Sequence, residues 1–171
     1  MPSKNSKKVI CHDIDGKTYE FDSSELRFRP SVYGILIKDN KILLSPQWDG
    51  YDFPGGGMEL HETVHEGLVR EFLEETGFTV QPQQLIACES SFFYPKYSKL
   101  STQPANTVLI YYTVTLVKGR LSTDGFDETE KAYAKIAEWI DLDKIEALKF
   151  LNPVDSVAII HKALTLTKAS A

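Results

Sequence analysis

Residues 55–78 read GGGMELHETVHEGLVREFLEETGF. Thr63 with Glu66 three positions on forms a capping box, in which each side chain bonds the other's free backbone N–H, so a helix is predicted from Val64. Gly77 supplies the left-handed position that ends a helix, which leaves about thirteen helical residues, an ordinary length. At about 100° per residue, Val64, Leu68, Val69, Phe72 and Leu73 spread across the side that should bury itself. Glu71, Glu74 and Glu75 stand at i, i+3 and i+4, one above another on a single patch. Like charges at those spacings each cost a few tenths of a kcal/mol in an exposed helix, and more where solvent is excluded. Arg70 is the nearest cation in sequence, and one arginine does not neutralise three carboxylates. Mg²⁺ or Mn²⁺ would, because hard divalent cations take oxygen ligands. Gly67, one turn before Glu71, is expected to leave open space above the patch for a substrate. The competing meaning of such a run is an exposed acidic helix face.

The spacing as a whole decides between the two. Gly56, five residues, Glu62, seven residues, then Arg70-Glu71-Phe72-Leu73-Glu74-Glu75-Thr76-Gly77-Phe78 resembles the box of the Nudix hydrolases, a loop–helix–loop element. The resemblance is tight over the box and looser from about Arg29 to Ile145. It implies an α/β fold, an α/β/α sandwich with a central mixed β-sheet, and an enzyme that hydrolyses a nucleoside diphosphate linked to another group. The pyrophosphate bond would be cleaved by metal-activated water, with Mg²⁺ or alternatively Mn²⁺. By resemblance, Glu71, Glu74 and Glu75 are the carboxylate ligands and the Gly55 carbonyl is a further oxygen donor. Oxygen ligation fits these ions better than zinc, for which Cys or His would be expected.

The base that deprotonates the water varies within the family. Glu71 is the first choice, in the middle of the patch and next to Arg70; a glutamate of the segment Asp127-Glu128-Thr129-Glu130 is the alternative, Glu130 before Glu128. Glu62 and Arg70 are expected to form an ion pair that fixes the loop against the helix. His61 stands where a glycine commonly precedes the first box glutamate, either facing the phosphates or simply exposed. Gln47 stands where many relatives carry arginine or lysine, which leaves Arg27, Arg29, Lys96 or Lys99 to contact phosphate. An aromatic ahead of the loop proline is usual, and Tyr51 fills that place before Pro54. Stacking on a base falls to at most two of Tyr33, Tyr51, Phe92, Phe93, Tyr94 and Tyr97. No residue selects among a nucleoside triphosphate, a nucleotide sugar and an ADP-ribose type compound.

A chain of 171 residues, 42% apolar and 25% charged, is that of one ordinary globular domain. Nineteen basic against twenty-four acidic side chains give a net charge of -5, against the basic footprint of a nucleic-acid polymer binder. Cys11 and Cys88 form no CxxC pair. No apolar run reaches membrane-span length, and MPSKNSKKV has no signal core, so a cytoplasmic protein is expected; the resemblance implies a small-molecule nucleotide partner. Two other functions compete: a regulatory Nudix domain that binds nucleotide without turnover, which usually goes with a degraded box, and an isoprenoid diphosphate isomerase, which needs a cysteine and has only Cys88 to offer.

Along the chain, Val9–Asp13 and Lys17–Phe21 read as a hairpin about the turn at Asp15-Gly16, an addition spanning about 8–22 that covers a sheet edge or contributes to a homodimer. The core should run from about 29 to 168. Ser31–Ser45 reads as strand, turn at Asp39-Asn40, strand, with the near-continuous apolar runs of strands buried on both faces. Leu85–Tyr94 and Thr107–Val117 are further strands, the second with Val108, Ile110, Val114 and Leu116 as its apolar side. The loop between them, Pro95–Asn106, is long enough to be functional. Lys135–Ile140 should be a strand, followed by a short helix near Asp143–Leu148. A last helix has Asn152 as N-cap and Pro153 at its first position, and packs through Val154, Val157, Ala158, Ala163 and Leu164.

Overall fold

A computed structural model of the chain describes residues 6–96, 101–126, 135–151 and 153–169. Among the described residues, ten strands and two α-helices follow in the order β1 (Lys8–His12), β2 (Thr18–Asp22), β3 (Arg27–Ile35), β4 (Ile37–Lys38), β5 (Lys41–Gln47), β6 (Gly50–Asp52), β7 (Gly55–Gly57), α1 (Val64–Thr76), β8 (Phe78–Phe93), β9 (Ala105–Gly119), β10 (Glu138–Asp141) and α2 (Ser156–Ala169). Short 3₁₀ turns occupy Ser23–Glu25 and Leu142–Ala147.

Both turn readings hold. Gly16 takes a φ of 76° between β1 and β2, and Asp39 and Asn40 take φ of 50° and 58° between β4 and β5, the left-handed pair of a two-residue hairpin turn. One sheet runs in the order β2-β1-β8-β9-β3-β7 and a smaller one β10-β5-β4, with β6 beside β5. It is a mixed sheet: β3 lies parallel to β9 along its whole length, whereas β8 and β9 pair antiparallel. The hairpin joins the large sheet through β1, where His12 pairs with Phe93.

Alternation along the strands builds two cores on opposite faces. Val32, Leu43, Leu68, Phe72 and Val114 are buried on the α1 side, and Ile35, Ile42, Leu44, Leu109, Tyr111, Ile159 and Ile160 on the α2 side. This is the α/β/α sandwich, and it explains why strands such as Ile42-Leu43-Leu44 are apolar at every position.

Several expectations are corrected by this layering. On β9 the expected apolar side is not the more buried one: Thr107, Leu109, Tyr111 and Thr113 are the more deeply buried set, on the α2 side, while Ile110, Val114 and Leu116 pack toward α1. In α1 the buried stripe is Gly67, Leu68, Phe72, Glu75 and Thr76, so Leu73 is 45% exposed and an acid lies inside. Strand β8 starts at Phe78, not Leu85; register shifts flank Pro82, which lets the strand carry a residue with no N–H to donate. Strand β10 starts at Glu138 rather than Lys135. Helix α2 begins at Ser156, capped by Asp155, whose Oδ1 accepts from the Ala158 N–H at 2.9 Å. It packs through Ile159, Ile160 and Ala163, and Asn152 lies outside the described residues.

Candidate active site

Three glycines on edge strand β7 make the site possible. The strand pairs with β3 as Gly55 with Tyr33, Gly56 with Val32 and Gly57 with Ser31. Gly55 has a φ of 146°, and a Cβ there would run into the Val32 carbonyl. At Gly56 a Cβ would stand 2.5 Å from Glu71 Oε2, so the Glu71 carboxylate rests on the bare backbone. Helix α1 presents that carboxylate because its ends are fixed as the sequence predicts. Thr63 and Glu66 form the capping box, with Thr63 N–H donating to Glu66 Oε2 at 2.9 Å, and Gly77 closes the helix at φ 75° with its N–H on the Leu73 carbonyl.

One guanidinium ties the acids together. Arg70 donates through Nε and NH2 to the two oxygens of Glu62, with NH2–Oε2 at 2.9 Å, and through NH1 to Glu71 Oε1 at 2.9 Å and Glu74 Oε2 at 3.0 Å. NH2 also donates to the Gly57 carbonyl at 3.0 Å. The expected Glu62–Arg70 pair is therefore present, and it straps the loop to both the helix and β7. Arg70 beside it holds the Glu62 carboxyl down at about 2, and the Glu62 side chain is 8% exposed.

Glu75 belongs to a different network. Its Oε2 accepts from Ser45 Oγ at 3.0 Å and from the Gly55 N–H at 3.1 Å. Burial pushes its carboxyl well above the ordinary range, and the charges of Glu71 and Asp52 push the same way; the two hydrogen bonds only partly offset this. Ser45 and the Gly55 N–H were missed by sequence reasoning. The available signal was a serine interrupting the apolar run of β5, a polar group that burial obliges to find a partner.

Gly67 does not face open space. A Cβ there would meet Glu62 Oε2 at 3.2 Å and Met58 Cγ at 3.3 Å, so its absence lets the loop and the Glu62 carboxylate close onto the helix. Of the expected substrate contacts, Arg29 lies against the box: its NH2 would be 2.8 Å from a Cβ on Gly57, and its NH1 donates to Ser31 Oγ at 2.7 Å. Gln47 ends β5 on the same face as Ser45. Tyr51 is engaged elsewhere, with its hydroxyl on Glu138 Oε2 at 3.5 Å and its backbone bonded to Lys149 and Leu151. Lys96 is held by the hairpin, where Nζ donates to the Tyr19 hydroxyl at 3.0 Å. Tyr94 packs on Tyr19 and Phe21, and Tyr33 stacks on Tyr111, so neither is poised for a base. His61 is exposed. Tyr97, Lys99, Glu128 and Glu130 lie outside the described residues.

As placed, no three acidic, His or Cys side chains among the described residues converge at metal-ligand distance. Glu71 and Glu74 reach Arg70, while Glu75 turns inward. The donor chemistry nevertheless fits a hard cation: all the ligands expected are oxygens, and Glu75 sits buried among Glu71 and Asp52 with too little positive charge.

Residues 27–160 match the family model described as the NUDIX domain. The chain is 33% identical over 161 residues to an ADP-ribose pyrophosphatase of Methanocaldococcus jannaschii, covering 85% of this chain and 86% of that protein. It is 28% identical over 143 residues to an 8-oxo-dGTP diphosphatase of Buchnera aphidicola, covering 80% and 93%. Among solved structures, a NUDIX hydrolase from Nitrosomonas europaea aligns with a TM-score of 0.58 at 19% identity, over 81% of this chain and 90% of that one, a likeness of fold. Among the described residues no helix is long and apolar enough to cross a membrane.

Proposed function

The chain belongs to the NUDIX family and is a pyrophosphohydrolase acting on nucleoside diphosphate derivatives, and from that premise we propose that it works with Mg²⁺ held by Glu71, Glu74, Glu75 and the Gly55 carbonyl. The observation that carries this reading is Glu75, an acid buried beside two others and short of counter-charge. Mg²⁺ in that place supplies charge neutralisation for the diphosphate and makes water more acidic. Mn²⁺ offers the same ligand chemistry.

The protein's own residues do the rest. Arg70 holds Glu71 and Glu74 in register and pins the loop through Glu62 and Gly57. Glu71, resting on Gly56, takes the proton from the attacking water, with Glu130 as the alternative base. Water adds to one phosphorus and the bridging oxygen leaves with the other phosphate. Arg29, beside the loop at Gly57, is placed to meet substrate phosphate, as is Gln47.

The test is hydrolysis by the purified protein of a panel holding ADP-ribose, nucleotide sugars, nucleoside triphosphates and oxidised nucleoside triphosphates, in Mg²⁺, in Mn²⁺ and in EDTA. Turnover of at least one compound that disappears in EDTA is expected. Metal-independent turnover, or none across the panel, would overturn the reading.

A further inference from the structure

Arg27 and Arg29 stand on one face of β3, about 7 Å apart between Cα atoms by strand geometry, and each lies within the other's field. Among the described residues neither guanidinium has a carboxylate partner, whereas Arg70, Lys8, Lys41, Lys144 and Lys149 all do. Among the described residues Arg29 donates to the Ser31 hydroxyl, and Arg27 Nε is buried with no acceptor. Two like charges with an unmet buried donor destabilise a fold unless an anion joins them.

Their place relative to the acids is set by β7. Successive residues of a strand face opposite sides, so Gly56 admits the Glu71 carboxylate on one side and Gly57 admits the Arg29 guanidinium on the other. The scissile diphosphate belongs on the Glu71 side, with the acids and their metal. An anion held by the arginines therefore lies across the edge strand from it. The return limb of the 95–106 loop is tied alongside: the Arg27 N–H donates to the Pro104 carbonyl at 2.9 Å, and Gln103 Nε2 to the Glu25 carbonyl at 3.1 Å.

We infer that Arg27 and Arg29 form a subsite for a phosphate group other than the scissile linkage, the planar guanidinium fork matching phosphate oxygens. This rests on the hydrolase reading and narrows it to substrates that carry a further phosphate, as a nucleoside triphosphate does and ADP-ribose does not.

Two measurements test it. In EDTA, inorganic phosphate is titrated into the wild type, the R27Q/R29Q double variant, the R27K/R29K variant and E71Q, with the fold of each checked by thermal melting. The double glutamine variant should weaken phosphate binding about tenfold or more, the lysine variant less, and E71Q not at all. Equal binding by wild type and R27Q/R29Q, or no wild-type binding at millimolar phosphate, overturns the inference. In Mg²⁺, R27Q/R29Q should raise KM for ATP about tenfold more than it raises KM for ADP-ribose; equal rises for both substrates overturn it. Should the wild type hydrolyse no compound of the panel, the hydrolase reading fails while the titration still decides the subsite.

Discussion

Gly67 packs directly beneath the Glu62 carboxylate, with Oε2 at 3.2 Å from where a β-carbon on residue 67 would stand. That carboxylate is fixed from the other side by Arg70, so it has little freedom to retreat. Glycine inside a helix ordinarily costs about 1 kcal/mol relative to alanine, and Gly67→Ala should recover that gain only by pressing on the loop. The expected outcome is a melting temperature close to wild type with turnover lowered about tenfold, since small displacements of positioned groups are costly in catalysis. A clear stability gain with full activity would show that Gly67 does not position the loop.

Glu62→Gln removes the charge from the strap itself. A charge-assisted hydrogen bond contributes about 1.5–3 kcal/mol, and the variant should lose stability of that order as well as most of its turnover. The pH dependence has a definite sign. The Glu62 carboxyl is held at about 2 against an ordinary 4.5, so its contribution is fully present above about pH 4.5 and lost as pH falls through about 2. Denaturant melts in metal-free buffer should show a constant gap between wild type and Glu62→Gln at neutral pH that shrinks below about pH 4.5. A gap that widened on acidification would contradict the ion pair.

Glu75→Gln separates stability from catalysis. The carboxylate is buried beside Glu71 and Asp52, and a neutral amide relieves that repulsion while remaining able to accept from Ser45 and the Gly55 N–H. In EDTA the variant should melt at or above the wild-type temperature, by about 2–4 °C per kcal/mol relieved. In Mg²⁺ its turnover should fall by about a hundredfold or more if Glu75 is a ligand. Undiminished Mg²⁺-dependent activity would remove it from the ligand set.

How far these residues could be read in advance depends on where their constraints come from. The capping box, Gly77 and the helix between them are local, and α1 appears with the boundaries its sequence predicts. The Asp39-Asn40 turn is local in the same sense. Gly67 was misread because its neighbours, Met58 and Glu62, arrive through the folded loop; in sequence it is only a gap. Leu73 was misread because helical periodicity gives the arc of a face but not how far the partner sheet extends over it. Lys96 was read as a candidate phosphate contact because nothing local shows that the N-terminal hairpin places Tyr19 against it, a contact across 77 positions. Asp155 took the cap from Asn152 because Pro153 and Val154 remain bends ahead of the helix. Glu75 was legible as an acid of the box, but its burial follows from Ser45 on a strand thirty residues earlier.

Gly56→Ala tests the contact on which the proposed base depends. The backbone at Gly56, unlike Gly55, has no positive φ, so alanine suits the local conformation and any effect comes from its methyl group. That methyl would stand 2.5 Å from Glu71 Oε2 and 2.8 Å from its carboxyl carbon, too close to coexist, so the carboxylate must swing away from β7 and loosen its bond to Arg70. Because Glu71 sits at the edge of the sheet and not in its core, the fold has somewhere to put it. Stability should therefore fall by no more than about 1–2 kcal/mol, while kcat falls by about a hundredfold and KM changes little, the pattern of a lost transition-state interaction. A variant with unchanged kcat would show that the carboxylate acts from some other position. A variant that lost only substrate affinity would place Glu71 in binding and return the base to the Asp127–Glu130 segment.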